Sequence, residues 1–447
     1  MKMDVWMDAV DQRVGVLERA DSMALTFTYA PDAPQTSPIS LSLPVRPAPY
    51  LDADCRGYFE NLLFEGPQLD RALDTYRLNR GDTGALLYHL GADCPGAISI
   101  TPEGRGPGKR PGIFPDDYDR IDDERMLEIV QSLHLERRLP QAERDPSPLA
   151  GVQGKIALLY HDQRYYLPKP DSRAPTTHIL KVSPARDPHL TEAETALLAI
   201  ATSCGIHTTR FVPKTFKVRG LTIKAILLER FDRDVKGGHV RRIHTEDFCQ
   251  ALGLPPSLKY QRHAVLPEHQ FSAKAVGTIA AKTSTPGLFV QTFLDHTLYN
   301  ILVGNTDNHG KNGTILHGAG GTELAPLYDV VPVFTDTTVT HRLAFDIGTA
   351  HYVEDIQPAD LVAMMRDIGF IRPRFDKRLE KKLRHLVSTI SNEADARLAK
   401  GLADALAAQM GEVATALGLD LGVPERDYFP RVTRDESRAP GGWEQLS

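Results

Sequence analysis

The amino-acid sequence predicts an α+β chain with a two-lobed core, a mixed β/α lobe followed by a mainly helical one, and an extra β-rich subdomain ahead of both. Three observations predict it. Short alternating segments broken by turns run from Val5 to about Ile100. A strand, strand, helix, strand order lies between Ile156 and Leu228, and beyond Asp232 apolar residues recur at helical spacing.

Residues 1–100 read as the β-rich subdomain, with one amphipathic stretch near Phe59 to Leu63 and a Gly-rich close at Gly91 to Ile100. Residues 101–235 read as the first lobe. It opens on Thr101 to Gly112, a run of Gly, Pro, Arg and Lys that disfavours helix and strand alike and marks an exposed loop. Met126, Ile129, Val130 and Leu133 then share a helical face, and Arg137 to Pro148 is polar and proline-broken. Ile156 to Tyr160 and Thr176 to Val182 carry strand signals, Glu192 to Ser203 reads as a helix stopped by Gly205, and Ala225 to Leu228 as a further strand. Residues 236–424 form the helical lobe, where Leu379, Leu383, Leu386, Val387 and Ile390, then Leu398, Leu402 and Leu406, describe long amphipathic helices. Residues 425–447 are polar with Pro and Gly and read as a flexible tail.

At 447 residues, 41% hydrophobic and 25% charged, the chain has the composition of a globular protein with room for two or three domains. A formal net charge of −6 gives no general reason for it to bind nucleic acid by itself, although Lys214, Lys217, Arg219 and Lys224 leave room for a local basic face. Cys55, Cys94, Cys204 and Cys249 lack the close pairing of zinc sites, so buried free thiols in a reducing compartment are expected. The amino terminus carries acids where a secretory signal needs an apolar run, and no segment approaches the roughly 20 apolar residues that cross a bilayer. A cytoplasmic protein with no membrane partner is expected.

The chemistry is concentrated in Gly304 to Asn312, which reads Gly-Asn-Thr-Asp-Asn-His-Gly-Lys-Asn. Asp307 and Asn312 stand five apart, the separation of a catalytic carboxylate and a metal-binding amide in the catalytic loop of protein kinases. Asp329, within Leu327 to Val330, falls where a second magnesium-binding carboxylate would follow. By themselves these three residues also fit a solvated turn. His309 and Lys311 in the same loop either contact phosphates or stabilise the loop's own backbone.

Upstream, strand alternation puts Leu180 and Val182 on one face and Ile179 with Lys181 on the other. Lys181 either points to water from an edge strand or needs a partner, and Glu194, on a helical face with Leu197, Leu198 and Ala201, is the carboxylate expected to pair with it. In Ala150-Gly-Val-Gln-Gly-Lys155 the glycines let backbone amides approach phosphate oxygens and Lys155 adds charge, with Gly151, Val152 and Gln153 lining the approach; a plain turn is the alternative. Glu229-Arg-Phe-Asp232 follows an apolar strand where a connector between lobes would meet adenine, with Phe231 as a flat contact; a strand end capped by a surface salt bridge is the alternative. Glycine loop, strand lysine, helix glutamate, connector, Asp with Asn, then a last Asp is the order in which a two-lobed kinase meets its nucleotide.

These residues resemble the HipA-type serine/threonine protein kinases, the toxin halves of bacterial toxin-antitoxin pairs. The matching pieces are Phe59-Glu-Asn-Leu-Leu-Phe-Glu-Gly66, Asp93-Cys-Pro-Gly-Ala97, Ala150-Gly-Val-Gln153 with Lys155, Ile179-Leu-Lys181, Glu229-Arg-Phe-Asp-Arg233, Glu246-Asp-Phe-Cys-Gln250, Asp307-Asn-His-Gly-Lys-Asn312 and Pro326-Leu-Tyr-Asp329. The resemblance implies Asp307 as the catalytic carboxylate, Asn312 and Asp329 as holders of Mg2+, Lys181 on the phosphates of ATP, and Glu229 with Phe231 on adenine. Asp232 and Tyr328 join the nucleotide-binding set. It further implies growth arrest by phosphorylation of an aminoacyl-tRNA synthetase, a HipB-type antitoxin as partner, and operator DNA reached through that antitoxin. Two departures stand out: the family's autophosphorylated serine falls on Pro148, which leaves Ser147 as the candidate, and Phe64 replaces a common proline. Two rivals are a small-molecule or lipid kinase of related architecture and a catalytically silent co-repressor.

Overall fold

Period-two alternation makes a sheet of the first hundred residues. β1 (Lys2–Met7), β2 (Gln12–Arg19), β3 (Leu25–Tyr29) and β4 (Ile98–Pro102) pair antiparallel in the order β3-β2-β1-β4. Met3, Val5 and Met7 share one face of β1 and are buried in one core with Leu17, Phe27 and Ile100. Of the helices α1 (Asp52–Glu60), α2 (Pro67–Tyr76) and α3 (Thr83–Leu90), the first buries Tyr58 and Phe59 completely in that core. The computed structural model of the protein describes residues 1–8, 11–65, 67–140, 143, 153–318 and 320–428. The chain divides into two units: Met1–Glu192 with Arg210–Pro256 and Leu316–Gly320, and Ala193–Thr209 with Ser257–Ile315 and Gly321–Ser447.

The first unit continues with β5 (Gly112–Ile113), β6 (Tyr118–Arg120), α4 (Asp123–Glu136), β7 (Lys155–His161), β8 (Arg164–Pro168) and β9 (His178–Val182). α5 (Leu190–Ser203) leads into the second unit, and β10 (Phe211–Val218) and β11 (Leu221–Glu229) return to the first. Six of these strands form one antiparallel sheet, β10-β11-β9-β7-β8-β6. α4 starts where the Asp122 carboxylate accepts the Arg125 amide at 2.9 Å and ends at Arg137, whose φ of 56° no longer continues the helix. Its predicted apolar face, Met126, Ile129, Val130 and Leu133, packs on Ile156, Leu158, Leu180, Val182, Ala225 and Leu227. Each such side chain contributes about 1.5–3 kcal/mol by leaving water.

Two expectations need correcting. The run Thr101 to Gly112 is not simply exposed: Lys109 is buried, its Nζ 3.1 Å from Asp93, and Gly108 lies so close to Ala92 that a Cβ there would stand 2.1 Å from the Ala92 carbonyl oxygen. Lys214, Lys217, Arg219 and Lys224 form a solvated basic face only in part: Lys217 and Arg219 are exposed, but Lys214 donates to the Tyr160 hydroxyl at 2.6 Å and Lys224 pairs with Glu192 at 2.9 Å. They belong to β10 and β11, which the sequence reading gave only in part. The strands turn through Arg219 and Gly220, both with positive φ, in a two-residue hairpin loop.

β12 (Arg233–Lys236) and β13 (His239–Arg242) pair in a small sheet that adds β5, and β14 (His244–Asp247) leads into α6 (Phe248–Leu252), begun by a reciprocal Asp247–Gln250 capping box. This stretch fastens the amino-terminal sheet to the rest of its unit. Arg242, fully buried, meets Asp8 at 2.7 Å and Asp93 at 3.2 Å, and donates to the Ile98 carbonyl and the Ser99 hydroxyl. Glu246 accepts from the Ser40 hydroxyl at 2.5 Å and the Leu41 amide at 3.0 Å, and lies 2.9 Å from His317 Nε2. Asn61 donates to the Leu254 carbonyl at 2.7 Å.

The second unit contains α7 (Ala273–Ala280), α8 (Pro286–Leu302), α9 (Pro358–Asp367), α10 (Lys377–Arg397) and α11 (Lys400–Ala416); the predicted face Leu379, Leu383, Leu386, Val387 and Ile390 is buried on α10, and of the second predicted run Leu398 caps α10 while Leu406 is buried on α11. α8 is central: its Leu298, Ile301 and Leu302 line one small apolar cavity with Leu361, Leu383 and Val413 of the last three helices, and Tyr299 donates to the Leu197 carbonyl of α5 at 2.5 Å. β15 (Thr314–Gly318) and β16 (Gly321–Leu324) come after the loop that follows α8. All four cysteines are free, Cys55, Cys94 and Cys249 being buried. Among the described residues no helix is long and apolar enough to cross a membrane.

Candidate active site

The loop 304–312 begins where α8 can no longer continue. Gly304 has a φ of 66°, and a Cβ there would stand 2.3 Å from the Phe334 ring, so the turn needs glycine on both counts. Polar side chains then shape the backbone. Asn305 donates through its side chain to Asn300 Oδ1 at 3.0 Å and through its amide to the Asn300 carbonyl at 2.8 Å. The carbonyl of Asp307 accepts from the His309 amide at 2.8 Å and from Asn312 Nδ2 at 2.9 Å, while the Asn312 amide donates to the His309 carbonyl. The five-residue spacing thus closes a ring, in which the Asn312 side-chain amide reaches back to the Asp307 carbonyl.

The stretch that carries Asp329 is fixed beside the same loop. Tyr328 shares a 2.8 Å hydrogen bond with the Thr314 hydroxyl and donates to the Lys311 carbonyl at 3.2 Å. Leu327 is held on both sides by main-chain bonds to His207 and Thr209. Asp329 itself has a φ of 56°, a left-handed conformation that Asp tolerates better than most residues.

Burial dominates the electrostatics here. Asp307 is 8% exposed, and desolvation pushes its carboxyl up to about 7; a hydrogen bond from Tyr260 and the charge of Lys259 pull it down, and the charge of Asp329 pushes it further up. His309 lies well below its ordinary value, first because it is buried and then because Lys259 and Lys311 are near, so its ring is neutral and Nδ1 accepts the Lys311 amide at 3.3 Å. A buried carboxyl poised near neutrality beside a second carboxylate can take a proton from a hydroxyl.

In the first unit, Lys181 on β9 is registered between Lys155 of β7 and Ile226 of β11. Leu180 and Val182 face the α4 core, as the alternation predicts, so Lys181 and Lys155 share the opposite face of the sheet. Gln153 is half-buried just before β7. Gly151, Val152 and Ser147 lie outside the described residues. Glu229 ends β11, its amide donating to the Arg210 carbonyl at 2.8 Å and its carboxylate 3.7 Å from the Arg210 guanidinium; half-buried Phe231 follows. Asp232 accepts from both Arg230, at 2.9 and 3.0 Å, and Arg233, at 2.7 Å, and those guanidinium groups hold its carboxyl far below the usual range against the opposing effect of burial. Its oxygens are engaged in bracing the connector. Glu194, fully buried in α5, belongs to the second unit.

The model of the HipA-like C-terminal domain matches residues 147–398, and that of the HipA N-terminal domain matches residues 3–101. The chain belongs to the HipA family. A Sinorhizobium fredii protein named "Putative kinase Y4mE" is 31% identical over 382 residues, covering 84% of this HipA-family chain and 88% of the relative. The serine/threonine-protein kinase toxin HipA of Shewanella oneidensis is 28% identical over 345 residues, 75% of this chain and 76% of that one. Among solved structures, the complex of Shewanella oneidensis HipA with HipB and operator DNA superposes with a TM-score of 0.73 at 25% identity, covering 93% of this chain and 96% of that one. The protein is accordingly a HipA-type serine/threonine protein kinase with a kinase-like two-lobed fold.

Sequence reasoning missed Tyr260 and Lys259 of this HipA-family loop. Their only signal was an aromatic beside a lysine in the proline-broken run Pro255 to Tyr260, and the partner of Tyr260 lies 47 positions onward, out of reach of any local spacing rule.

Proposed function

We propose that this HipA-family kinase transfers the γ-phosphoryl group of ATP to a serine or threonine hydroxyl of a protein and thereby arrests growth, with Asp307 as the catalytic carboxylate. The observation that supports it best is the state of Asp307: buried, raised to about 7, and tied through its carbonyl to Asn312. Its role is to accept or orient the proton of the acceptor hydroxyl. Asn312 and Asp329 offer hard oxygen donors of the kind magnesium takes, and the mutual repulsion of Asp307 and Asp329 is what a divalent cation would relieve, so the residues fit the metal. Bound Mg2+ supplies neutralisation of the phosphate charge during transfer. Lys155 and Lys181, like charges placed directly opposite on neighbouring strands, form a pair that an anionic phosphate chain would stabilise. Glu229 and Phe231 serve adenine, and Gln153, His309, Lys311 and Tyr328 complete the nucleotide set.

The Shewanella relative's complex with HipB and operator DNA supports a HipB-type antitoxin as partner here, with DNA reached through it. The proposed substrate is an aminoacyl-tRNA synthetase in the cytoplasm, and Ser147 is the proposed site of inhibitory autophosphorylation, where phosphate would add roughly two negative charges beside the glycine segment. The test is incubation of the purified chain with Mg2+, γ-labelled ATP and a cell lysate, followed by identification of labelled proteins and serines. Label on a protein hydroxyl, absent with Asp307→Asn, is expected; label appearing only on a small molecule would overturn the reading.

A further inference from the structure

Tyr260 is 2% exposed, and its hydroxyl donates to Oδ1 of Asp307. The same segment meets the loop a second time, where the Lys259 carbonyl accepts the Gly310 amide at 2.9 Å. One side-chain and one main-chain attachment therefore bracket residues 307–310. The segment is in turn held from behind. The Gln261 amide donates to the Ala344 carbonyl at 2.9 Å, its side-chain amide donates to Asp346 Oδ2 at 2.8 Å, and its Oε1 accepts the Asp346 amide at 2.9 Å. The ring of Tyr260 packs against the Arg262 guanidinium, 4.1 Å from its centroid, and meets the His309 ring nearly perpendicularly with centroids 5.1 Å apart.

An aspartate carboxylate turns easily about its last torsion, which has broad wells, so a free one presents its oxygens in many directions. Holding one oxygen stops that rotation. We propose that Tyr260 is a positioning residue for phosphoryl transfer, its hydroxyl pinning Oδ1 of Asp307 so that Oδ2 meets the acceptor hydroxyl. The proposal rests on the reading of Asp307 as the catalytic carboxylate. In-line transfer is sensitive to the placement of the attacking oxygen, and a misplacement near 1 Å lowers rates on the order of a hundredfold.

The experiment uses the full chain with Mg2+, ATP and a protein acceptor. Tyr260→Phe keeps the ring and its neighbours and removes the donor; kcat is expected to fall roughly tenfold to a hundredfold, with KM for ATP and the melting temperature nearly unchanged. Replacement of Tyr260 by 3-fluorotyrosine, which keeps both ring and donor, is expected to retain kcat, and serves as the folded control. In an Asp307→Asn background, followed by single-turnover measurement, adding Tyr260→Phe is expected to change the residual rate by less than about twofold, because nothing remains to be positioned. Unimpaired kcat in Tyr260→Phe, a loss expressed mainly in KM, or a full additive loss in the double variant would each overturn the role of Tyr260 while leaving an inactive Asp307→Asn, and the reading of Asp307, intact. A fully active Asp307→Asn would overturn both.

Discussion

Asp232 in the first unit and Asp307 in the second are both about 8% exposed, yet burial leads them to opposite chemical states. Around Asp232 two guanidinium groups supply three donor atoms, a two-atom fork from Arg230 and one from Arg233, and Asp93, Lys109 and Arg242 continue a buried network in which acids and bases alternate. That carboxyl is driven down. Around Asp307 burial outweighs the Tyr260 hydrogen bond and the charges of Lys259 and Arg262, and the charge of Asp329 adds to it, so the carboxyl is driven up to about 7. Burial alone does not make a carboxylate chemical; what decides is how far hydrogen-bonded counter-charges offset the loss of water, as two guanidinium groups do at Asp232 and the neighbours of Asp307 do not.

The largest expected effect concerns rate. Asp307→Asn should lower kcat by roughly 10²–10⁴-fold with ATP binding retained, as measured by nucleotide titration beside turnover. The comparison breaks if Asp232→Asn does the same while the protein stays folded. For Asp232→Ala the effect belongs in stability instead: leaving two buried guanidinium groups without their acid should cost about 3–5 kcal/mol in denaturant unfolding, as for other broken buried pairs.

A third kind of buried group sharpens the contrast. His244 is held neutral, its pKa lowered to about 3 by burial, with His317 and Arg242 lowering it further. Because the unfolded chain takes up that proton near 6.5 and the folded one does not, stability should fall as pH drops below 6.5, by about 2 kcal/mol at pH 5 from this residue. Unfolding at pH 7 and pH 5, compared with a His244→Gln variant whose pH-dependent loss is smaller by about 2 kcal/mol, checks it.

The smallest effect has the opposite sign for the two acids. A carboxyl raised in the folded state favours folding at low pH and loses that contribution as pH rises through about 7. Asp307→Asn should therefore be more stable than the parent at pH 8, by at least about 1 kcal/mol, where Asp232→Asn is less stable. Thermal melts of both variants at one pH decide between a loop built for chemistry and one built for cohesion.

Local patterns carried much of this to the sequence reader. The alternation around Lys181 and the face Met126, Ile129, Val130, Leu133 depend on neighbours a few positions apart, and both appear in the structure where the spacing puts them; the Asp307 to Asn312 interval is closed by a hydrogen bond to the Asp307 carbonyl that the spacing alone did not foretell. The charged network was invisible because Asp8, Asp93, Lys109 and Arg242 are scattered over more than two hundred positions. Tyr260 escaped for the same reason. β10 escaped for another: Lys214, Lys217 and Pro213 on an edge strand dilute the apolar signal, and cross-strand pairing supplies what propensity does not.

The fastening of the first hundred residues by Arg242, Glu246 and Asn61 has a practical corollary. Anyone exchanging that segment between relatives, or trimming it to obtain a smaller enzyme, would strand an arginine in the interior with its acids gone and leave a buried glutamate with His317 but without its Ser40 and Leu41 donors. Chimeras should cross over within the same unit only if positions 8, 40, 61 and 93 travel together with 242, 246 and the 254 backbone, so the boundary useful to an engineer is not the one at which the two family domains meet.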